Sequence, residues 1–187
     1  MSLNKNTGIL IDRAINELRT GRPIVLEEKG NFWIFYNIEH STKNIINQFK
    51  TIQEKETFLL ITKQKAKQLL PIKLNTNIFF QVSSNFNHAK FQDLFLNPAD
   101  KNNILNLKNL NSNKSKSFHN YALELSKNAK LIPSLIFKKI KTKLNNNIDN
   151  ILYDMGLLKF KYSDLVNQNK HISDSIKLIS SANVPLP

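Results

Sequence analysis

The chain has 187 residues, the size of a single domain whose core is large enough to need no covalent staples. It has no cysteine, which excludes disulfides, thiolate zinc sites and cysteine nucleophiles and suits a reducing, cytoplasmic setting. A net charge of +13 raises nucleic acid as a partner, but the excess is lysine: the arginines are Arg13, Arg19 and Arg22, so the bidentate fork that reads phosphates and bases is scarce.

In chain order, Ile9, Leu10, Ala14, Ile15 and Leu18 share one face at helical spacing, and Gly21 supplies the stop. Pro23 to Leu26 and Phe32 to Tyr36 are apolar runs that read as strands buried on both faces, with Lys29-Gly30-Asn31 as a hairpin-like turn between them. Ser41 caps a helix predicted through Phe49, Thr57 to Thr62 reads as a strand, and Lys63 to Leu70 as a short helix ended by Pro71. Ile78 to Val82 is a further strand, and Asn97-Pro98 sets the start of a helix over Ala99 to Leu105.

Leu105 to Ser117, rich in Asn, Lys and Ser, has no apolar period and is expected to be a mobile surface loop. Ala122, Leu125 and Ala129 form the stripe of a helix that Pro133 ends, and Leu135 to Phe137 reads as a strand. Lys141 to Asn150 is a second polar loop, also expected to be mobile. Tyr153 to Gly156 and Ser163 to Gln168 are short helical or turn segments, and Ile176 to Ser180 closes as a strand. The alternation predicts one layered α/β (α+β) domain over residues 1–187 with a mixed sheet.

The N-terminus lacks a basic start followed by an apolar stretch, and no apolar run approaches the roughly 18 residues that span a bilayer. The expectation is a soluble, unprocessed chain with no membrane partner. Its lysines are diluted among asparagine and isoleucine, as an A/T-rich coding sequence would give, which favours a solvated basic surface over a nucleic-acid site. Phe32, Trp33, Phe35 and Tyr36 would serve as a stacking platform only if exposed, and their continuity reads instead as a buried strand.

Three separated stretches carry a family pattern. The first, Ala14 to Leu26, joins a helix, a Gly21-Arg22-Pro23 turn and a strand; the second, Ala122 to Ile136, joins a helix, a Leu131-Ile132-Pro133-Ser134 corner and a strand. The third pairs Tyr162-Ser163-Asp164-Leu165-Val166 with the closing run Ile179 to Pro187. In order and spacing they resemble 3,4-dihydroxy-2-butanone 4-phosphate synthase, the riboflavin-pathway enzyme that converts ribulose 5-phosphate to a four-carbon phosphate and formate. The resemblance implies a three-layer α-β-α sandwich around a mixed sheet, working as a homodimer with its site at the subunit interface.

The same resemblance implies which chemistry is missing. Family members follow the first strand with an acidic run ending Arg-Glu-Asn-Glu-Gly-Asp, whose carboxylates hold Mg²⁺ and move protons; here Glu27-Glu28-Lys29-Gly30-Asn31 leads directly into the next strand. The family's Gly-His-Thr aligns with Ser117-Phe118-His119, so its metal-binding histidine falls on Phe118, whose ring offers no lone pair. His119 lies one position away and reads as a surface histidine near a helix start, while His40, His88 and His171 lack ligand spacing. The family's catalytic glutamate maps to Lys138, which opposes a divalent cation. Glu27 and Glu28 are left as a vestigial pair that reads as solvated at a strand end. No catalytic residue, metal ligand or cofactor is expected, Mg²⁺ entering only if that pair still holds it.

The run Ala122-Leu123-Glu124-Leu125-Ser126-Lys127 is similar to the degenerate synthase-like N-terminal domain of some bacterial GTP cyclohydrolase II proteins. Ring-opening of GTP in that family takes a zinc held by three cysteines, and this chain has none. The resemblance therefore implies a non-catalytic dimerisation or docking module with a cyclohydrolase domain as partner. One alternative is a weakly active sugar-phosphate enzyme using ribulose 5-phosphate, with Lys114 and Lys116 holding the phosphate as point charges. A second is a lysine-rich nucleic-acid-binding domain.

Overall fold

The computed structural model describes residues 3–40, 42, 54–69, 76–82, 88–96, 112–140 and 148–164. Helix α1 (Leu3–Arg19) buries Ala14 and Leu18 completely. It ends at Gly21, whose φ of 77° is left-handed. There the Gly21 N–H donates to Leu18 O and the Arg22 N–H to Glu17 O, the paired bonds of a Schellman stop. A Cβ on Gly21 would lie 2.2 Å from the His40 carbonyl oxygen, so this turn packs backbone against backbone.

Strands β1 (Ile24–Glu28) and β2 (Asn31–Asn37) then pair antiparallel, with Glu28 opposite Asn31. Lys29 and Gly30 bridge them with φ of 49° and 74°, the left-handed pair of a type I′ turn that matches strand twist. The expected hairpin is therefore as short as a hairpin is commonly made.

Strand β3 (Glu54–Ile61), helix α2 (Lys63–Leu69), strand β4 (Ile78–Val82) and helix α3 (His88–Leu96) follow. Next come strand β5 (Ser112–Lys114), helix α4 (Ser117–Asn128), strand β6 (Ser134–Ile140), helix α5 (Ile148–Asp154) and strand β7 (Leu158–Lys161). The strands form one seven-stranded sheet in the order β5-β4-β3-β6-β2-β1-β7. Only the β1–β7 pair is parallel among these neighbours, so the sheet is mixed.

Alternation along the strands divides the core into two faces. One carries Leu26, Trp33, Phe35, Phe58, Phe79 and Phe137 against α1 and α4 through Leu18, Phe118, Ala122 and Leu125. The other carries Val25, Ile34 and Ile140 beneath Leu152 of α5. Helices on both faces of the sheet make the expected α-β-α sandwich. Trp33, Phe35 and Tyr36 are buried in the interior strand β2, which removes them as a stacking platform.

The corner after α4 is tied down by a buried polar network. Lys130, at φ 62°, takes the left-handed position of a second Schellman stop, with its N–H on Lys127 O and the Leu131 N–H on Ser126 O. The fully buried Asn37 amide donates to Ser126 Oγ at 2.6 Å and to Ile132 O at 2.7 Å, and its oxygen accepts the Glu39 N–H at 2.8 Å. The Leu131-Ile132-Pro133-Ser134 corner is thus bonded to the end of β2.

Several expectations need correction. Residues 112–114 of the expected mobile loop over 105–117 form β5, and Ser117 already begins α4; a polar edge strand recruited by main-chain bonds to β4 leaves no apolar signal. Residues 148–150 of the expected loop over 141–150 belong to α5. Helix α3 and strand β7 were not foreseen, and β6 runs from Ser134 to Ile140, beyond the predicted Leu135 to Phe137. The predicted helices over 41–49 (Thr42 apart) and 97–105, the closing strand over 176–180 and most of the third family-like stretch lie outside the described residues. Among the described residues no helix is long and apolar enough to cross a membrane.

Candidate functional site

The hairpin turn, the first turn of α4 and the end of β7 meet around an open cleft of about 490 Å³. Glu27, Glu28, Lys29 and Gly30 line it from the hairpin, and Lys116, Ser117 and Phe118 from the start of α4. Lys161, Tyr162 and Ser163 close the third side. The structure thus brings together Glu27, Glu28, Phe118 and Lys116 from the sequence-derived candidates. It leaves Lys138 elsewhere, and places Lys114 on edge strand β5 opposite Ile78. Sequence reading did not single out Lys161, Tyr162 and Ser163 as site residues, although Tyr162-Ser163-Asp164 was the start of the third family-like stretch.

Glu27 and Glu28 are half-buried. Glu27 stands opposite Phe32 on β2 and Lys161 on β7, and its Oε2 lies 3.9 Å from Lys159 Nζ. Lys159 Nζ also bonds Asp149 Oδ1 in the first turn of α5. The expectation of a merely solvated acid is therefore corrected for Glu27, which has a lysine partner across the strand pair.

Phe118 forms part of the cleft floor and of the core. Only 2% of its surface is exposed, and its ring centroid lies 5.5 Å from Trp33 and 6.3 Å from Tyr162. Tyr162 packs edge-on against Tyr121 as well, and burial, with Tyr162 as the lesser contributor, pushes the Tyr121 phenol up to about 12. The Tyr121 phenol is therefore no ready proton carrier at neutral pH.

His119 is a correction: it is buried, at 2% exposure, and is no surface histidine. Its Nδ1 accepts the Lys116 backbone N–H at 3.0 Å, satisfying one of the free donors at the helix start. The ring stacks on Phe79 at 4.0 Å and stands nearly perpendicular to Trp33 and Phe137. Because Nδ1 accepts, the neutral ring carries its proton on Nε2, which is buried without an oxygen or nitrogen partner among the described residues. The perpendicular rings allow it an N–H···π contact. Burial, helped by the Lys116 charge, pulls the imidazole down from 6.5 to about 3. One nitrogen is spent on the helix and the other is enclosed by rings, so His119 does not stand in for the histidine missing at Phe118. An aromatic box built from strands far apart in sequence leaves no local signal that would have revealed it.

Lys138 is buried in the central strand β6, in register with Ile34 and Thr57. It shares the sheet face of Ile34, opposite to that of Phe118 and α4. Among the described residues, no group of three or more His, Asp or Glu side chains converges. Mg²⁺ takes near-octahedral oxygen ligands. A cleft with Phe118 on its floor and Lys29, Lys116 and Lys161 on its walls does not fit that ion.

No family model matches the chain, and no curated protein matches it by sequence. Solved structures do. A two-domain 3,4-dihydroxy-2-butanone 4-phosphate synthase from A. baumannii superimposes with a TM-score of 0.60 at 13% identity, over 83% of this chain and 56% of that one. This chain therefore spans little more than half the length of that neighbour. The Candida albicans synthase gives 0.58 at 13% identity over 84% of this chain and 95% of its own. A synthase in complex with two magnesium ions gives 0.59 at 11% identity, over 88% of this chain and 97% of its own. The chain has the 3,4-dihydroxy-2-butanone 4-phosphate synthase fold.

Proposed function

We propose that this chain is a synthase-fold domain without synthase chemistry, serving riboflavin biosynthesis as the dimerisation or docking module of a GTP cyclohydrolase II-like protein. The observation that carries this reading is the hairpin: Lys29 and Gly30 alone join β1 to β2, where the family places its acidic run. Phe118 at the metal histidine's position supports it, whereas Lys138, on the far face of the sheet, does not reach the cleft. The two-domain neighbour shows that the fold occurs joined to a second domain.

A scaffold role keeps the core and the corner network under selection while the cleft drifts. Analytical ultracentrifugation of the chain, alone and mixed with a GTP cyclohydrolase II domain, tests the role. A dimer or a stable heterocomplex is expected, and a monomer that sediments apart from the enzyme overturns it.

A second reading, a weak sugar-phosphate site, is favoured by one observation: Lys29, Lys116 and Lys161 line the same cleft. Lysines hold phosphate as point charges. Calorimetric titration with ribulose 5-phosphate decides it, saturable binding lost in Lys116→Met and Lys161→Met being the result it requires.

A further inference from the structure

Lysines come to the cleft from three sides: Lys29 from the hairpin, Lys116 from the start of α4 and Lys161 from the end of β7, all exposed. Among the described residues none of them has a carboxylate within ion-pair distance. Of the two acids that line the cleft, Glu27 is matched by Lys159 at 3.9 Å, so Glu28 alone of the lining residues opposes the three ammonium groups. Beside them lies apolar surface, the half-buried ring of Tyr162, 6.3 Å from the ring of Phe118. Unmatched cations around an aromatic wall are complementary to carboxylates with an apolar side chain among them.

We propose that this cleft docks an acidic segment of a partner protein, whose carboxylates meet Lys29, Lys116 and Lys161 while an apolar side chain between them packs on Tyr162. The proposal rests on the docking-module reading and deepens it, giving the place of the contact and the chemistry of the partner. The residue types favour a peptide over nucleic acid. Arg19 is spent on the Ala129 carbonyl at 3.1 Å, and Arg22 on the Gly156 carbonyl at 2.9 Å and the Glu17 carboxylate at 3.0 Å. The cleft therefore offers ammonium groups, which take a carboxylate from any direction, without the guanidinium fork that grips phosphate. Trp33, Phe35 and Tyr36 are buried, so successive bases find no stacking platform. Glu28 repels a phosphodiester chain charged at every nucleotide, whereas a peptide can set a backbone N–H opposite it. A volume of about 490 Å³ takes a few side chains.

The probe is the synthetic peptide Glu-Glu-Phe-Glu-Glu, capped at both ends and titrated into the 15N-labelled chain with amide shifts as the readout. Saturable shifts are expected at Lys29, Gly30, Ser117 and Lys161. Replacing the glutamates of the peptide by glutamine should abolish them, and replacing its phenylalanine by alanine should weaken binding. Lys116→Met and Lys161→Met should each weaken it by about threefold or more, while Lys127→Met, at the other end of α4, should leave it unchanged. Shifts centred elsewhere, or equal shifts with the glutamine peptide, overturn the proposal. So does ribulose 5-phosphate or a short oligouridylate that saturates the same amides at a lower concentration than the peptide, which would assign the cleft to phosphate. Sedimentation with the GTP cyclohydrolase II domain separates this failure from that of the docking-module reading. A heterocomplex that survives Lys116→Met with Lys161→Met overturns the cleft as the contact and leaves the reading standing, whereas a monomer that forms no complex overturns the reading itself.

Discussion

The Nδ1 atom of His119 accepts the Lys116 backbone N–H at 3.0 Å, so helix α4 starts on a neutral imidazole enclosed by aromatic rings. Protonation would remove the acceptor and place a charge in the core. With its folded value near 3 and an unfolded value near 6.5, His119 binds a proton more readily in the unfolded chain. Its contribution is fully present above pH 6.5 and is lost as pH falls towards 3. We expect a loss of about 2–3 kcal/mol from this group between pH 7 and pH 4.5. Urea unfolding at both values measures it, and His119→Gln, which keeps an acceptor without the titration, should shrink the difference; an unchanged difference contradicts the assignment.

Phe118 is core before it is site. Its ring joins Trp33 and Tyr162 beneath the cleft, so Phe118→Ala should destabilise the chain by about 3–5 kcal/mol, as truncations of buried aromatics do. Thermal unfolding checks it. A cost below about 1 kcal/mol would mark the ring as dispensable lining.

Asn37 holds the corner after α4 through both ends of its amide. Asn37→Ala strands the Glu39 N–H and leaves the Ser126 hydroxyl and the Ile132 carbonyl with only the 3.3 Å bond between them, and a loss of about 2–4 kcal/mol is expected. Amide exchange should also quicken at Glu39, whose N–H is released; equal exchange in both proteins would show that the network is not a clamp.

Lys130 is an exposed residue in a left-handed position that glycine fills at the ends of α1 and α5. Lys130→Gly should therefore stabilise the chain by about 0.5–1 kcal/mol. A fall in the urea midpoint would contradict this.

Legibility in the sequence followed the reach of the interactions. The helix ending at Gly21, the hairpin through Lys29 and Gly30 and the strand from Phe32 to Tyr36 are set by neighbours in sequence, and all were readable. Strand β7 was missed because Leu158 to Lys161 becomes a strand only by pairing with β1, more than a hundred residues earlier. His119 was misjudged for the same reason: Phe79, Trp33 and Phe137 come from three strands to bury it. The site was half readable. Glu27, Glu28, Lys116 and Phe118 do meet in one cleft, while Lys161 reaches it from β7, a strand with no local signal.

Formate release from ribulose 5-phosphate in the presence of Mg²⁺ tests the central claim most directly, that this sandwich has kept its architecture and lost the groups that hold a cation and move protons. The account predicts a rate equal to that of the protein-free control, unchanged by Glu27→Gln or His119→Ala. Turnover above that control that either substitution abolishes would contradict it.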